Sequence, residues 1–63
     1  MLVRVNDPDR LVELLMFLRN SGFPLVQRHD EATAKLHAHD EARVREAIAL
    51  WETTSGVHAE IVS

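Results

Sequence analysis

Two stretches of twelve residues decide the fold: residues 7–18 read DPDRLVELLMFL, and residues 40–51 read DEARVREAIALW. Laid over each other without a gap, both open on an aspartate, which favours a helix N-cap. Both then place apolar residues at the i, i+3, i+4, i+7 spacing of a core-facing helix. These residues are Leu11, Leu14, Leu15 and Leu18 in the first stretch and Val44, Ala47, Ile48 and Trp51 in the second. The sequence therefore predicts two equivalent helices, each closed by a glycine, Gly22 or Gly56.

The segments around these helices have the patterns of strands. Residues 1–5, 23–29, 33–39 and 57–62 are short and rich in apolar residues, and residues 33–39 alternate strictly between apolar and polar. Pro24 places the second strand at a sheet edge, because proline cannot donate to a ladder. The resulting order is β-α-β-β-α-β, in which each half repeats the other. We expect one α+β domain over residues 1–63, a ferredoxin-like split βαβ fold. Its four-stranded antiparallel sheet would have the order 4-1-3-2 and carry both helices on one face.

Alternation along each strand assigns its side chains to one face of the sheet or the other. The predicted helix-facing residues are Val3, Val5, Phe23, Leu25, Ala34, Leu36, Ala38, Val57, Ala59 and Ile61. The predicted open face holds Leu2, Arg4, Val26, Arg28, Lys35, His37, His39, His58, Glu60 and Val62. In the expected strand order, Arg4 lies between His37 and His58 and near Glu60.

Composition excludes several classes of protein. The chain has 63 residues and no cysteine, so disulfides and thiolate zinc sites are ruled out. A net charge of −3 disfavours a nucleic-acid binder and a protein attached to anionic membranes. No apolar run approaches the roughly 18 residues that span a bilayer, and the N-terminus lacks a signal-peptide pattern. We therefore expect a cytoplasmic protein without nucleic-acid or membrane partners.

The histidines of the open face are the candidate ligand-binding residues. A site there would consist of Arg4, His37, His39, His58 and Glu60. His37 and His39 stand roughly 7 Å apart on one strand face, which is close enough to share a metal with a third ligand. Arg4 and Lys35 would repel a cation, so we predict neither a metal nor a cofactor. Two alternatives stay open: a metal- or ligand-responsive regulator, and a pH-sensitive interface built on these histidines.

The first helix carries more apolar residues than its core stripe needs. Val12, Met16 and Phe17 lie outside that stripe, and such patches on a small protein often mark interfaces. With Val26 of the edge strand they form the predicted interface. We expect a homo-oligomer or a complex with a protein partner, and a small-molecule ligand is an alternative.

Residues for catalysis are few. The chain has no cysteine or tyrosine, and Ser21 and Ser55 each precede a glycine at a predicted helix end. An enzyme is therefore less favoured than a binding module. If the chain were a small oligomeric enzyme, His37 would be the candidate base.

The run Val3-Arg4-Val5-Asn6-Asp7-Pro8, a leucine-rich helix and then Asn20-Ser21-Gly22-Phe23 resembles the first half of an ACT domain. ACT domains are βαββαβ regulatory modules that pair and bind amino acids at subunit interfaces, and the resemblance covers roughly the first 27 residues. The excess of arginine over lysine also resembles short bacterial proteins of GC-rich genomes. The leading hypothesis is a non-enzymatic interaction module that self-associates and has a regulatory role.

Overall fold

Asp7 and Asp40 open the two helical segments through the same kind of backbone contact. The computed structural model describes residues 1–23, 25–37 and 40–62. Asp7 Oδ1 accepts a hydrogen bond from the backbone N–H of Asp9 at 3.1 Å, at the start of a 3₁₀ turn over Pro8–Arg10. This turn runs directly into helix α1, Leu11–Asn20. Asp40 Oδ1 accepts from Ala42 N at 3.0 Å and from Arg43 N at 3.3 Å, and helix α2 follows over Glu41–Ser55. The cap predicted at Asp40 is confirmed, whereas Asp7 caps the 3₁₀ turn and α1 itself begins after Arg10, which makes no side-chain cap bond.

A glycine in the left-handed region ends each helix. Gly22 has φ 98° and donates to Arg19 O at 3.2 Å, while Phe23 N donates to Leu18 O at 3.1 Å. This pair of bonds is the Schellman motif, which satisfies the last carbonyls of α1. Gly56 has φ 75° and donates to Glu52 O at 2.9 Å.

Four antiparallel strands form one sheet: β1 (Leu2–Val5), β2 (Val26–Arg28), β3 (Thr33–Leu36) and β4 (Ala59–Ile61). Their order in the sheet is β2-β3-β1-β4, so β2 and β4 are the edges. All three neighbouring pairs are antiparallel. The chain is therefore an α+β fold with a four-stranded antiparallel sheet and two helices.

One hydrophobic core joins both helices to the sheet. Leu11, Leu14 and Leu18 of α1 are fully buried. The core cluster also contains buried residues of α2 and of all four strands, among them Val44, Val3, Val26, Leu36 and Ala59. The predicted core stripe of α1 is buried throughout, and that of α2 is buried at Val44, Ile48 and Trp51, with Ala47 partly buried.

The predicted faces of the second strand are wrong. Val26 pairs with Leu36 and shares its core side, so it is only 3% exposed, whereas Leu25 is 63% exposed. The reason is that Phe23 belongs to the end of α1, where its N–H bonds to Leu18, and not to the strand. Alternation counted from Phe23 therefore starts outside the strand and inverts every assignment in it. The strand itself is also shorter than the predicted 23–29, although its edge position is confirmed.

The third and fourth strands are likewise shorter than predicted. β3 ends at Leu36, and His37 is an exposed residue beyond it. Ala38 and His39, predicted as the end of this strand, lie outside the described residues, as do Pro24 and Ser63. Val57 is buried as predicted but precedes β4.

Candidate functional site

The register of the sheet separates two of the histidines that the sequence placed together. Next to His37, the N–H of Leu36 donates to Met1 O at 3.0 Å, at the beginning of β1. At the other end of β1, Asn6 N donates to His58 O at 2.8 Å. The two positions are therefore separated by the five residue steps from Met1 to Asn6, roughly 17 Å of extended chain. Arg4 pairs with Thr33 and Glu60 and is not beside His37, so that expectation is wrong. His39 lies outside the described residues.

His58 instead contacts helix α2. Its Nδ1 lies 2.7 Å from Oε2 of Glu52, and the same oxygen accepts a hydrogen bond from the N–H of Ala59 at 3.1 Å. Nδ1 therefore faces this carboxylate, and Nε2 is the ring nitrogen left without a protein contact among the described residues. The His58 side chain is 66% exposed, so this nitrogen is accessible to solvent. Sequence reasoning missed Glu52 because it looked like an ordinary polar helix residue.

A small polar pocket lies beside this pair. We call it the His58 pocket; it has a volume of about 170 Å³ and is lined by Arg4, Val5, Asn6, His58 and Glu60. Arg4 Nη2 bonds to Glu60 Oε1 at 3.2 Å across the open face, because the two residues are cross-strand partners. Three of the five predicted ligand-binding residues therefore line one pocket, Arg4, His58 and Glu60, without His37.

The groups around His58 limit its chemistry. A histidine backed by a carboxylate has the arrangement of a general base. Both internal serines are already engaged, since Ser21 Oγ donates to Phe17 O at 2.8 Å and Ser55 Oγ donates to Trp51 O at 2.7 Å. Within the described ranges, no group of three His, Asp or Glu side chains could hold a metal ion. The pocket is thus suited to hydrogen bonding of a small polar ligand.

A larger and more apolar site lies between the helices. This interhelical groove has a volume of about 440 Å³ and is lined by Phe17, Ser21, Phe23, Arg43, Glu46, Ala47 and Leu50. Leu50 is 59% exposed on its rim. The guanidinium carbon of Arg43 lies 5.5 Å from the centre of the Phe23 ring, within cation–π range. Neither Arg43 nor Glu46 forms a salt bridge with any residue in the described part of the chain.

The predicted interface residues divide between two sides of α1. Phe17 is partly buried and lines the interhelical groove. Val12 and Met16 are 52% and 57% exposed, on the helix flank opposite Phe17. Val26 is buried in the core and contributes nothing to a surface; Leu25 is exposed in its place. The sequence signal for the groove was present in Phe17 and Leu50, both outside their core stripes.

Among the residues that the structure describes, two carboxyl groups have shifted pKa values, and both lie away from the two sites. A hydrogen bond from the guanidinium of Arg10 holds the pKa of Glu13 below its ordinary value. Hydrogen bonds from the backbone N–H of Ala32 and from the Thr33 side chain lower the pKa of Asp30. Both shifts belong to local structure, in the first turn of α1 and in the loop between β2 and β3, and they give no sign of catalysis.

Comparison with family models, curated proteins and solved structures yields no match to this chain. The described helices are too short and too polar to cross a membrane.

Proposed function

We propose that this chain is a non-enzymatic interaction module of ferredoxin-like topology. It binds an apolar segment of another protein chain in the interhelical groove, and it also associates with copies of itself. The topology rests on the element order β-α-β-β-α-β and on the strand order β2-β3-β1-β4, which is the expected 4-1-3-2 read from the other edge. A single core shared by both helices supports their placement on one side of the sheet.

The observation that carries the function is the composition of the interhelical groove. Its volume of about 440 Å³ falls in the usual range of ligand pockets. Phe17, Phe23, Ala47 and Leu50 give it an apolar lining, and Leu50 leaves a large apolar side chain exposed at its edge. Because Leu50 is 59% exposed, burial of the rest of its side chain by a partner contributes about 1–2 kcal/mol. The lining also holds one cation and one carboxylate, Arg43 and Glu46, and neither forms a salt bridge among the described residues. Arg43 lies over the Phe23 ring and is the group that would meet a negative charge on the bound segment.

The experiment uses a probe that combines these two features, the aromatic sulfonate 1-anilinonaphthalene-8-sulfonate. Its titration into ¹⁵N-labelled protein should shift the amide resonances of Phe17, Ala47 and Leu50. Leu50→Lys should weaken binding about tenfold or more, since it places a charge where the apolar ring docks. Val12→Lys is the matched control, because Val12 is similarly exposed but lies on the other flank of α1. Shifts centred on Val12 and Met16, or equal binding by both variants, would contradict the proposal.

A ligand-binding regulator is the second candidate, and the His58 pocket favours it. Arg4, Asn6 and His58 offer donors and an acceptor around a space of about 170 Å³, enough for a small polar molecule. Titration with acetate and with inorganic phosphate, followed by the ring resonances of His58, tests this reading. Saturable shifts that disappear in Arg4→Gln support it, while linear shifts of the same size in both proteins exclude it.

A further inference from the structure

The hydrogen-bond pattern identifies which backbone groups of the two edge strands point outward. Leu36 bonds to Met1 and Ala32 bonds to Val5. The backbone N–H and C=O groups of even-numbered residues in β3 therefore point to β1, and those of odd-numbered residues point to β2. Gln27, which pairs with Lys35, therefore bonds inward. The N–H and C=O groups of Val26 and Arg28 are directed away from the sheet. In agreement, the outward C=O of Val26 accepts from Arg19 Nη2 at 3.0 Å.

The same reasoning applies to β4. Asn6 bonds to His58 and Val62 bonds to Leu2, so even-numbered residues of this segment face β1. The backbone groups of Ala59 and Ile61 consequently point outward. The N–H of Ala59 meets the carboxylate of Glu52 at 3.1 Å, as expected for a group on the free side.

The two edges carry opposite charges. Arg19 and Arg28 lie at the β2 edge, and Arg28 forms no salt bridge with a residue of the described ranges. Glu52 and Glu60 lie at the β4 edge, beside Arg45, whose charge is paired with that of Glu41 at 3.1 Å. Arg28 pairs with Ala34 and therefore lies on the core side of the sheet, the side on which α2 carries Glu52. Both groups would thus be on the same side of a junction between the two edges.

Strand direction also fits such a junction. Every neighbouring pair is antiparallel, so directions alternate across the order β2-β3-β1-β4. A second copy displaced sideways in the same orientation places its β2 antiparallel to β4, and the alternation continues. Outward groups match when Ala59 is opposite Arg28 of the second copy and Ile61 is opposite Val26 of the second copy. Pairing then replaces two bonds of the single chain, because Glu52 must release the N–H of Ala59 and Arg19 must release the C=O of Val26. Glu60 then lies opposite Gln27 of the second copy, so no two like charges are directly opposite each other.

We propose that copies of this chain join head to tail by strand addition, the basic β2 edge of one copy pairing with the acidic β4 edge of the next. Arg28 of the second copy binds Glu52 at this junction. Pairing of like edges is disfavoured, because β4 on β4 brings the carboxylates together and β2 on β2 brings the arginines together. Strands of three residues give a small interface, so the association is concentration-dependent and forms open chains or rings. The inference rests on the proposed self-association but uses a surface distinct from the interhelical groove.

The test is a charge exchange. Sedimentation measures the average mass from micromolar to millimolar concentrations for the wild type, Arg28→Glu, Glu52→Lys and an equimolar mixture of the two variants. The wild-type mass should rise with concentration and fall in high salt. The association constant of each single variant should be lower than that of the wild type by about tenfold or more. The mixture should regain wild-type association, because every reversed edge then has an opposite partner. Glu13→Lys, an equal change of charge on the exposed side of α1, should behave as the wild type.

Several outcomes would overturn the inference. They are a monomeric wild type at every concentration, unchanged association of Arg28→Glu, and a mixture no better than its components. Stronger association of Arg28→Glu with the wild type than of either alone would indicate paired β2 edges instead. Circular dichroism establishes that each variant is folded. Leu50→Lys separates the two proposals, because it should leave the association through the edge strands intact. If Leu50→Lys abolished self-association and Arg28→Glu did not, copies would associate through the interhelical groove, and the proposed junction of edge strands would be refuted.

Discussion

The carboxylate of Glu52 lies 2.7 Å from Nδ1 of His58 and connects the last turn of α2 to the chain that enters β4. The same oxygen accepts the outward N–H of Ala59, so one side chain satisfies a backbone donor that the sheet leaves unpaired. An unpaired edge group is a site for aggregation, and native proteins commonly cover it. Glu52 therefore has a structural role in the monomer, independent of any ligand.

Replacement of Glu52 measures this role. Glu52→Ala should lower the free energy of unfolding by about 1 kcal/mol, because Ala59 loses its acceptor and His58 its partner. Glu52→Gln should cost less, since its amide oxygen can still accept from Ala59. Glu60→Ala, which removes only an exposed pair with Arg4, should stay within about half a kcal/mol. Urea unfolding gives the energies, and hydrogen exchange at Ala59 gives the local effect. Equal exchange at Ala59 in wild type and Glu52→Ala would refute this account.

The helices could be predicted from the sequence because their signals are local. An aspartate cap, the spacing of Leu11, Leu14 and Leu18, and a closing glycine all act within a few turns of chain. Each is reproduced in the structure. Short strands are different. Alternation says that neighbouring residues face opposite sides of the sheet, but it does not say which residue faces the core unless the start of the strand is known. Because Phe23 was counted as part of the strand, Leu25 was predicted to be buried and Val26 to be exposed, and the structure shows the reverse.

The candidate site was only partly predictable for a related reason. Alternation placed Arg4 and Glu60 on one face correctly, and the structure joins them. It could not fix how far each strand slides along its neighbour, so His37 was expected beside Arg4 although it lies past the end of β1. The contact between Glu52 and His58 depends on the position of α2 over the edge strand, which no local pattern encodes.

The two helix-ending glycines should resist substitution for conformational reasons. A Cβ at Gly22 would meet only a guanidinium nitrogen of Arg43 at 3.8 Å, and a Cβ at Gly56 would meet nothing within 4 Å. Steric clash is therefore absent, and the cost comes from the left-handed backbone. Gly22→Ala and Gly56→Ala should each lower the free energy of unfolding by about 1–2 kcal/mol. Gly56→Asn should lose less than Gly56→Ala, because asparagine tolerates this region. Thermal unfolding that ranks the asparagine variant below the alanine variant would contradict this explanation.

Asp30 should make stability depend on acid. Hydrogen bonds from Ala32 N, at 2.9 Å, and from Thr33 lower the pKa of Asp30, so its ionised form is favoured in the folded state. The folded pKa lies below the unfolded value of about 3.9, and the contribution is therefore present above about pH 4. It disappears as the pH falls through the folded pKa.

Asp30→Asn should accordingly be less stable than the wild type at neutral pH, with a difference that closes as the pH falls through the folded pKa of Asp30. Urea unfolding at several pH values gives the difference, and the carboxyl carbon shift of Asp30 gives its midpoint. Glu31→Gln is the control in the same loop, because Glu31 is exposed and no described residue donates to its side chain. A pH-independent difference for Asp30→Asn would contradict the assignment.

Alanine substitution of two adjacent residues distinguishes the observed register of β2 from its alternative. Val26 is 3% exposed and pairs with Leu36 inside the core, so Val26→Ala should cost about 1.5–3 kcal/mol through lost burial and the cavity it leaves. Leu25→Ala removes a larger side chain, yet it should change stability by less than about half a kcal/mol, because Leu25 is exposed. A domain of this size has only about 3–5 kcal/mol to lose, so Val26→Ala should visibly lower the midpoint of urea unfolding. The reverse ranking would mean that the strand is shifted by one residue, which would also remove Val26 and Arg28 from the outward positions that the head-to-tail junction requires.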